Sequence, residues 1–129
     1  MGTSAVVDRL ERNLMSLGVY VERHAREHET LHIEYETADA GLTRGDLGNV
    51  CSELRDIQNA GWEPIDCRFW VFDTEGGFHG EWVLKAGWLR ALDRGDLSET
   101  DFSTLVLSAR EPAEDPPAAI PAFGNAERV

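Results

Sequence analysis

The chain has 129 residues, of which 42% are hydrophobic, which is enough for one domain with a sizeable core and too little for two. Its 24 acidic residues against 12 basic ones give a net charge of −12, and Lys85 is its single lysine. An acidic surface without an Arg/Lys stripe repels a phosphate backbone, which excludes nucleic-acid binding, and no apolar run reaches the length that spans a bilayer.

Acid-rich, lysine-poor surfaces suit a protein kept hydrated in molar salt, where charge repulsion is screened within a few ångströms. With no basic-then-apolar start, a salt-rich cytoplasm is the expected location. Cys51 and Cys67 belong to no C-x-x-C pair and read as buried free thiols.

In chain order, Thr3 and Ser4 are candidate N-caps of a first helix. Its stripe is Val6, Val7, Leu10, Leu14 and Leu17, and Gly18 is placed to end it. Val19 to Glu22 and Leu31 to Tyr35 alternate and predict an antiparallel hairpin with Val19, Val21, Leu31, Ile33 and Tyr35 inward. Ala25 to Glu29 form its charged, mobile loop. Thr43 as N-cap, Asp46 at the third helical position and a Leu42–Leu47 staple start a second helix, striped by Leu47, Val50, Leu54 and Ile57 and stopped by Gly61. Gly48 inside that stripe predicts close approach to a neighbour.

The stretch from Gly61 to Lys85 holds three of the four tryptophans. Ile65 to Phe72 and Phe78 to Lys85 flank a Thr-Glu-Gly-Gly turn, so they read as a second hairpin with Phe69 opposite Trp82, Cys67 opposite Leu84 and Asp66 opposite Lys85. One face, with Ile65, Cys67, Phe69, Val71, Trp82 and Leu84, is core. The other, with Asp66, Arg68, Trp70, Phe72, His79, Glu81 and Val83, mixes aromatic and polar side chains, and His79 falls opposite Phe72.

Trp88, Leu89, Ala91 and Leu92 predict a short helix closed by Gly95. Ser98 caps a last one, with Asp101 in its first turn, Leu97 stapled to Phe102 and a stripe through Leu105, Val106 and Ala109. From Glu111 the prolines at 112, 116, 117 and 121 predict a disordered tail, so residues 1–110 form the domain and 111–129 the tail; Ile120 and Phe123 are a candidate docking motif within it.

The elements sum to an α+β fold of order α-β-β-α-β-β-α-α, with a four-stranded antiparallel sheet, two longer helices on one face and a C-terminal helical pair. The αββ order occurs twice and reads as a repeat. The helical pair either covers the mixed sheet face or leaves it for a partner.

Gly61 to Lys85 together with Trp88 to Ser98, WLRALDRGDLS, resembles the small acidic domain proteins of halophilic archaea that are carried as uncharacterised. The resemblance covers Asp8 to about Ala109; it implies a cytosolic halophile protein and supplies no catalytic residues. The longer segment WLRALDRGDLSETDFSTL is similar to helical-hairpin oligomerisation modules joined by a Gly-Asp-Leu turn.

No G-x-S-x-G, reactive-cysteine or phosphate-loop pattern is present, so no enzyme is expected, and no cofactor. The first functional reading is an interaction or regulatory module that self-associates or docks a protein partner through Trp70, Phe72, His79, Val83 and Trp88, or through the C-terminal helices. The alternative is a small-ligand or divalent-metal site on the outward face of the first hairpin, where Glu22, His24, His32 and Glu34 would converge.

Overall fold

The computed structural model describes residues 1–117 and residue 123. Helix α1 (Thr3–Leu14) runs through a 3-10 turn to Gly18, whose φ of 82° gives the left-handed stop its lack of a Cβ allows. Strands β1 (Val19–Glu27) and β2 (Thr30–Thr37) follow, then α2 (Arg44–Asn59), β3 (Asp66–Asp73), β4 (Phe78–Leu84), α3 (Ala86–Arg94), α4 (Glu99–Ser108) and the short β5 (Glu111–Pro112).

The caps of α2 and α4 form as their sequences predict, while α3 starts at Lys85 without a side-chain cap. Thr43 Oγ1 accepts from Asp46 N at 3.2 Å and Ser98 Oγ from Asp101 N at 3.0 Å, each satisfying an orphan first-turn donor. At α1 the cap position falls to Gly2 instead, one residue ahead of the predicted hydroxyls.

Among the described residues the sheet has five strands in the order β1-β2-β3-β4-β5, and it is mixed rather than antiparallel, because β2 and β3 pair in parallel from Thr30/Asp66 to Thr37/Asp73. Parallel neighbours need a crossover connection, and α2 supplies it. The antiparallel expectation rested on hairpin-forming turns, which set pairing within each hairpin and say nothing about how two hairpins meet. The parallel seam also removes support for the repeat: the two hairpins run in opposite senses along the sheet while α1 and α2 share one face, so no rotation superposes the units.

Among the described residues all four α-helices pack on that face. Leu10 and Leu14 of α1, Leu54 and Ile57 of α2, Leu89 and Leu92 of α3, and Phe102 and Val106 of α4 join Ile33, Tyr35, Phe69, Val71, Trp82 and Leu84 in one buried cluster. Phe69 stacks on Trp82 at 4.2 Å between ring centres, and Trp82 Nε1 donates to Tyr35 Oη at 3.0 Å, so the largest core rings bury no unpaired polar atom. Both cysteines are free and buried. Burial pushes the Cys51 thiol up to about 12 and the Cys67 thiol higher still, which keeps both protonated and unreactive at neutral pH.

Three local expectations are corrected. The predicted loop at Ala25–Glu29 is mostly strand: β1 and β2 continue to a tight turn at His28 and Glu29, with His28 at a φ of 57°. Its charged residues misled because they occupy an edge strand with a solvated face. Gly48 meets no neighbour; it is exposed and borders a cavity of about 70 Å³ between α2 and α4. Glu111 and Pro112, assigned to the tail, pair with Glu81 and Gly80 as β5, a place where proline is tolerated because its missing N–H falls at the sheet edge. The rest of the disorder call lies mostly outside the described residues, as does Ile120.

Candidate functional site

The face of the sheet away from the helices carries its own aromatic cluster. Strand alternation sends Cys67, Phe69 and Val71 of β3 to the helices and Arg68, Trp70 and Phe72 to the other side. The Phe69/Trp82 and Cys67/Leu84 partners form as predicted, and Lys85 Nζ lies 3.8 Å from Asp66 Oδ2. Beyond Val71 the register slips by one, pairing Phe72 with Phe78 and leaving His79 as the extra residue of a bulge. His79 is therefore not opposite Phe72; its Nε2 lies 3.3 Å from Asp39 O. The bulge instead turns Phe78 onto the helix-free side, 5.0 Å from Phe72 between ring centres.

Trp70, Phe72 and Phe78 are 7%, 5% and 9% exposed and form a cluster separate from the core, with Phe123 packed against it. Val83, the cross-strand partner of Arg68, is half-buried on the same face of the sheet. Trp88 is not part of this face. It packs against the helical core, because α3 and α4 lie with α1 and α2 and cover none of the aromatic face. The C-terminal helical pair therefore packs with α1 and α2 on the core side and does not account for the burial of the aromatic cluster.

Charged side chains frame the cluster. A bulge between Val21 and Arg23 brings Arg23 opposite Glu34, whose carboxylate is 1% exposed and accepts from Arg23 Nη2 at 3.2 Å. A buried carboxylate is tolerable only with such a charge-assisted partner. Arg68 pairs with Glu81 and holds its guanidinium 5.9 Å from the Trp70 ring. Burial raises the Glu81 carboxyl above its ordinary value, Arg68 opposes that, and Glu111 adds to it.

His32 bridges the charges and the rings. Its Nδ1 accepts from Trp70 Nε1 at 3.2 Å, the two rings lying 15° from parallel, which leaves the ring proton on Nε2 in the neutral form. Burial lowers its pKa, Glu27 pulls it back up and Arg68 adds to the lowering. Phe123 sits at this corner, with the Arg23 guanidinium 4.4 Å from its ring centre and the His32 ring edge-on at 6.5 Å.

The same β1 bulge undoes the predicted convergence of Glu22, His24, His32 and Glu34. After Glu22 the alternation inverts, so His24 pairs with Ile33 and points to the helix side while His32 pairs with Ala25 on the other. The two imidazoles are divided by the sheet, and Glu34 is engaged by Arg23. Among the described residues no group of three or more His, Cys, Asp or Glu side chains is placed to hold a metal ion.

A second polar cluster lies where β2 enters α2. Thr37 Oγ1 donates a short hydrogen bond to the buried Asp46 carboxyl, Asp39 N donates to Thr37 Oγ1 at 3.0 Å, and Thr43 Oγ1 donates to Asp39 Oδ2 at 2.9 Å. Burial raises the Asp46 pKa, Thr37 opposes this, Asp39 adds to the rise and His79 works against it. The cluster fastens the end of a central strand to the first turn of its crossover helix.

Arg23, Arg68 and Phe78 were not among the expected site residues. Arg23 and Phe78 owe their place to bulges, and only the second carried a signal, Gly80, since a glycine inside a strand marks a bulge or a close backbone approach. Its φ is 128° and it lies against β5.

Taken together, these features define a small α+β domain whose mixed sheet is closed by helices on one face and carries an aromatic cluster with paired charges on the other. The chain belongs to the family described as Domain of unknown function (DUF8159), which it matches over residues 1–116. Comparison with curated proteins and with solved structures finds no match.

Proposed function

We propose that the chain is a non-enzymatic interaction module of a salt-rich cytosol, docking an aromatic-bearing segment of a protein partner on the helix-free face of its sheet. The observation that carries this reading is the cluster of Trp70, Phe72 and Phe78, set apart from a core that is already complete without it. An aromatic cluster framed by paired charges, with a further ring packed against it, has the composition of contact surfaces, where aromatic and arginine anchors dominate contact energies. Phe123 illustrates the chemistry such a surface accepts: a flat ring placed over a guanidinium and against an imidazole edge.

Val83→Arg tests it, because it adds bulk and charge to that face without entering the core. The tagged full-length protein and the variant are isolated from their own cytosol in molar salt, then compared by light scattering and mass spectrometry. A stoichiometric complex held by the wild type and lost by an equally stable variant supports the reading. A bare monomer, or equal retention by both proteins, refutes it.

A further inference from the structure

We infer that the cavity between α2 and α4 is a binding site for a short-chain monocarboxylate, whose apolar end fills the chamber while its carboxylate lies on Arg44. The site is on the helix side of the sheet and is independent of the docking reading above. The chamber measures about 70 Å³. The buried Leu47 of α2 and the buried Phe102 and Val106 of α4 make its wall apolar, and the exposed Arg44 and Ser103 make its mouth polar.

Two residues of α2 weaken the helix they belong to. Arg44 stands in the first turn, where the positive end of the helix dipole disfavours a cation. Among the described residues its guanidinium pairs with no carboxylate, although the chain has 24 acidic residues against 12 basic ones. Gly48 lies in the helix interior, where glycine destabilises relative to alanine, and nothing lies within 4 Å of where its Cβ would be. Both residues line this cavity. Two departures from helix-forming preference at one place mark a functional site.

The chamber also holds an unpaired group. Cys51 lines it at 6% exposure, and among the described residues its thiol makes no hydrogen bond. Kept protonated by burial, that thiol is a polarisable surface and no nucleophile, so the occupant is held without a covalent bond. An apolar cavity of about 150 Å³ accepts a benzene ring, so one of about 70 Å³ takes about three carbons. The guanidinium fork at the mouth matches a planar carboxylate, and the two requirements meet in an acid of about four carbons.

The experiment titrates the full-length protein, at constant ionic strength, with isobutyrate, with its neutral amide, and with straight-chain carboxylates from acetate to hexanoate. The readout is the pair of Val106 methyl resonances, assigned by their loss in Val106→Ile. Isobutyrate should move them saturably. Affinity should rise about fourfold for each methylene added after acetate and level off near butyrate, where the chamber is full. Isobutyramide should bind about threefold more weakly than isobutyrate, the margin an exposed guanidinium gives a carboxylate. Arg44→Gln should erase that margin, and Gly48→Leu, which puts the protein's own side chain into the chamber, should abolish the shift.

Val106 resonances that isobutyrate leaves in place overturn the inference, as does an affinity that climbs steadily through hexanoate, the behaviour of a general apolar surface. Equal affinity for the acid and the amide in the wild type overturns it as well, and so does undiminished binding by a folded Gly48→Leu protein. Arg44→Gln changes an exposed side chain and leaves the chamber intact, so a margin that survives it defeats the inference whether or not the leucine variant folds.

Discussion

Gly80→Ala is the substitution whose cost follows most directly from the geometry. At a φ of 128° Gly80 occupies backbone space that L side chains rarely adopt, and an added Cβ would lie inside contact distance of Glu111 O, 2.8 Å from Pro112 Cα and 3.0 Å from Ala113 N. These are backbone atoms and cannot swing aside. The least costly response is release of β5, which holds by two residue pairs and the Ala113 N bond to His79 O. What remains is the strain of an alanine in an unfavourable region, about 1–3 kcal/mol. At about 4 °C per kcal/mol for a domain of this size, the melting temperature should fall by about 4–12 °C. Amide exchange at Ala113 should accelerate at the same time. Gly48→Ala is the control, because its Cβ enters open space inside α2 and should stabilise by about 0.5–1 kcal/mol. A Gly80→Ala protein that melts within a degree of wild type with Ala113 still protected would refute the close-approach argument.

Tyr35→Phe should cost about 1–3 kcal/mol in urea unfolding, because it leaves the buried Trp82 indole N–H without its acceptor; an unchanged midpoint would mean that another acceptor takes over. Asp46, an acid whose folded pKa is raised, favours the fold fully below the ordinary carboxylate value. That contribution is lost as pH rises through its folded pKa, so Asp46→Asn should flatten the fall in unfolding free energy above about pH 4, and identical profiles would refute the assignment. His32 has the opposite sign: lowered in the folded state, it contributes stability above about pH 6.5 that is lost as pH falls through its folded value. A proton-NMR titration should place His32 below the ordinary histidine range, and Arg68→Met should move it upward; no movement would show that Arg68 is not felt there.

The second hairpin was legible because three independent signals agree on one register: two glycines at the turn, the alternation around Phe69 and Trp82, and the charge pair of Asp66 with Lys85. The helices were legible from their stripes and from Thr43 and Ser98. The parallel seam was not, since nothing local to β2 or β3 states which strand of one hairpin will meet the other. In β2, moreover, the buried Glu34 reads as a solvent-facing residue until its partner Arg23 is known.

At the site, Trp70, Phe72 and Val83 fell on the expected face, while the bulges at Glu22 and His79 each inverted the alternation beyond them. One extra residue in a strand changes which face every later side chain takes, and its placement is settled by tertiary contacts such as β5 against Gly80. Trp88 lies apart from this face, and the sequence could not place it, because a short amphipathic helix shows a stripe without naming the surface that receives it.

The parallel seam between β2 and β3 also orders events in time. Each hairpin is local, with partners such as Phe69 and Trp82 close in the chain, whereas Leu31 and Cys67 meet only after α2 has closed a long loop between them. Loop-closure entropy is lost before such contacts return anything, so the two hairpins can assemble early and the seam sets the rate. Trp70, Phe72 and Phe78 all belong to the second hairpin, whereas His32, Glu34 and Arg23 reach them only across the seam, so the charged frame of the cluster is completed with that step. The hydrogen bond from Trp70 Nε1 to His32 Nδ1 joins a residue of each hairpin, so it forms only in a chain whose seam is closed.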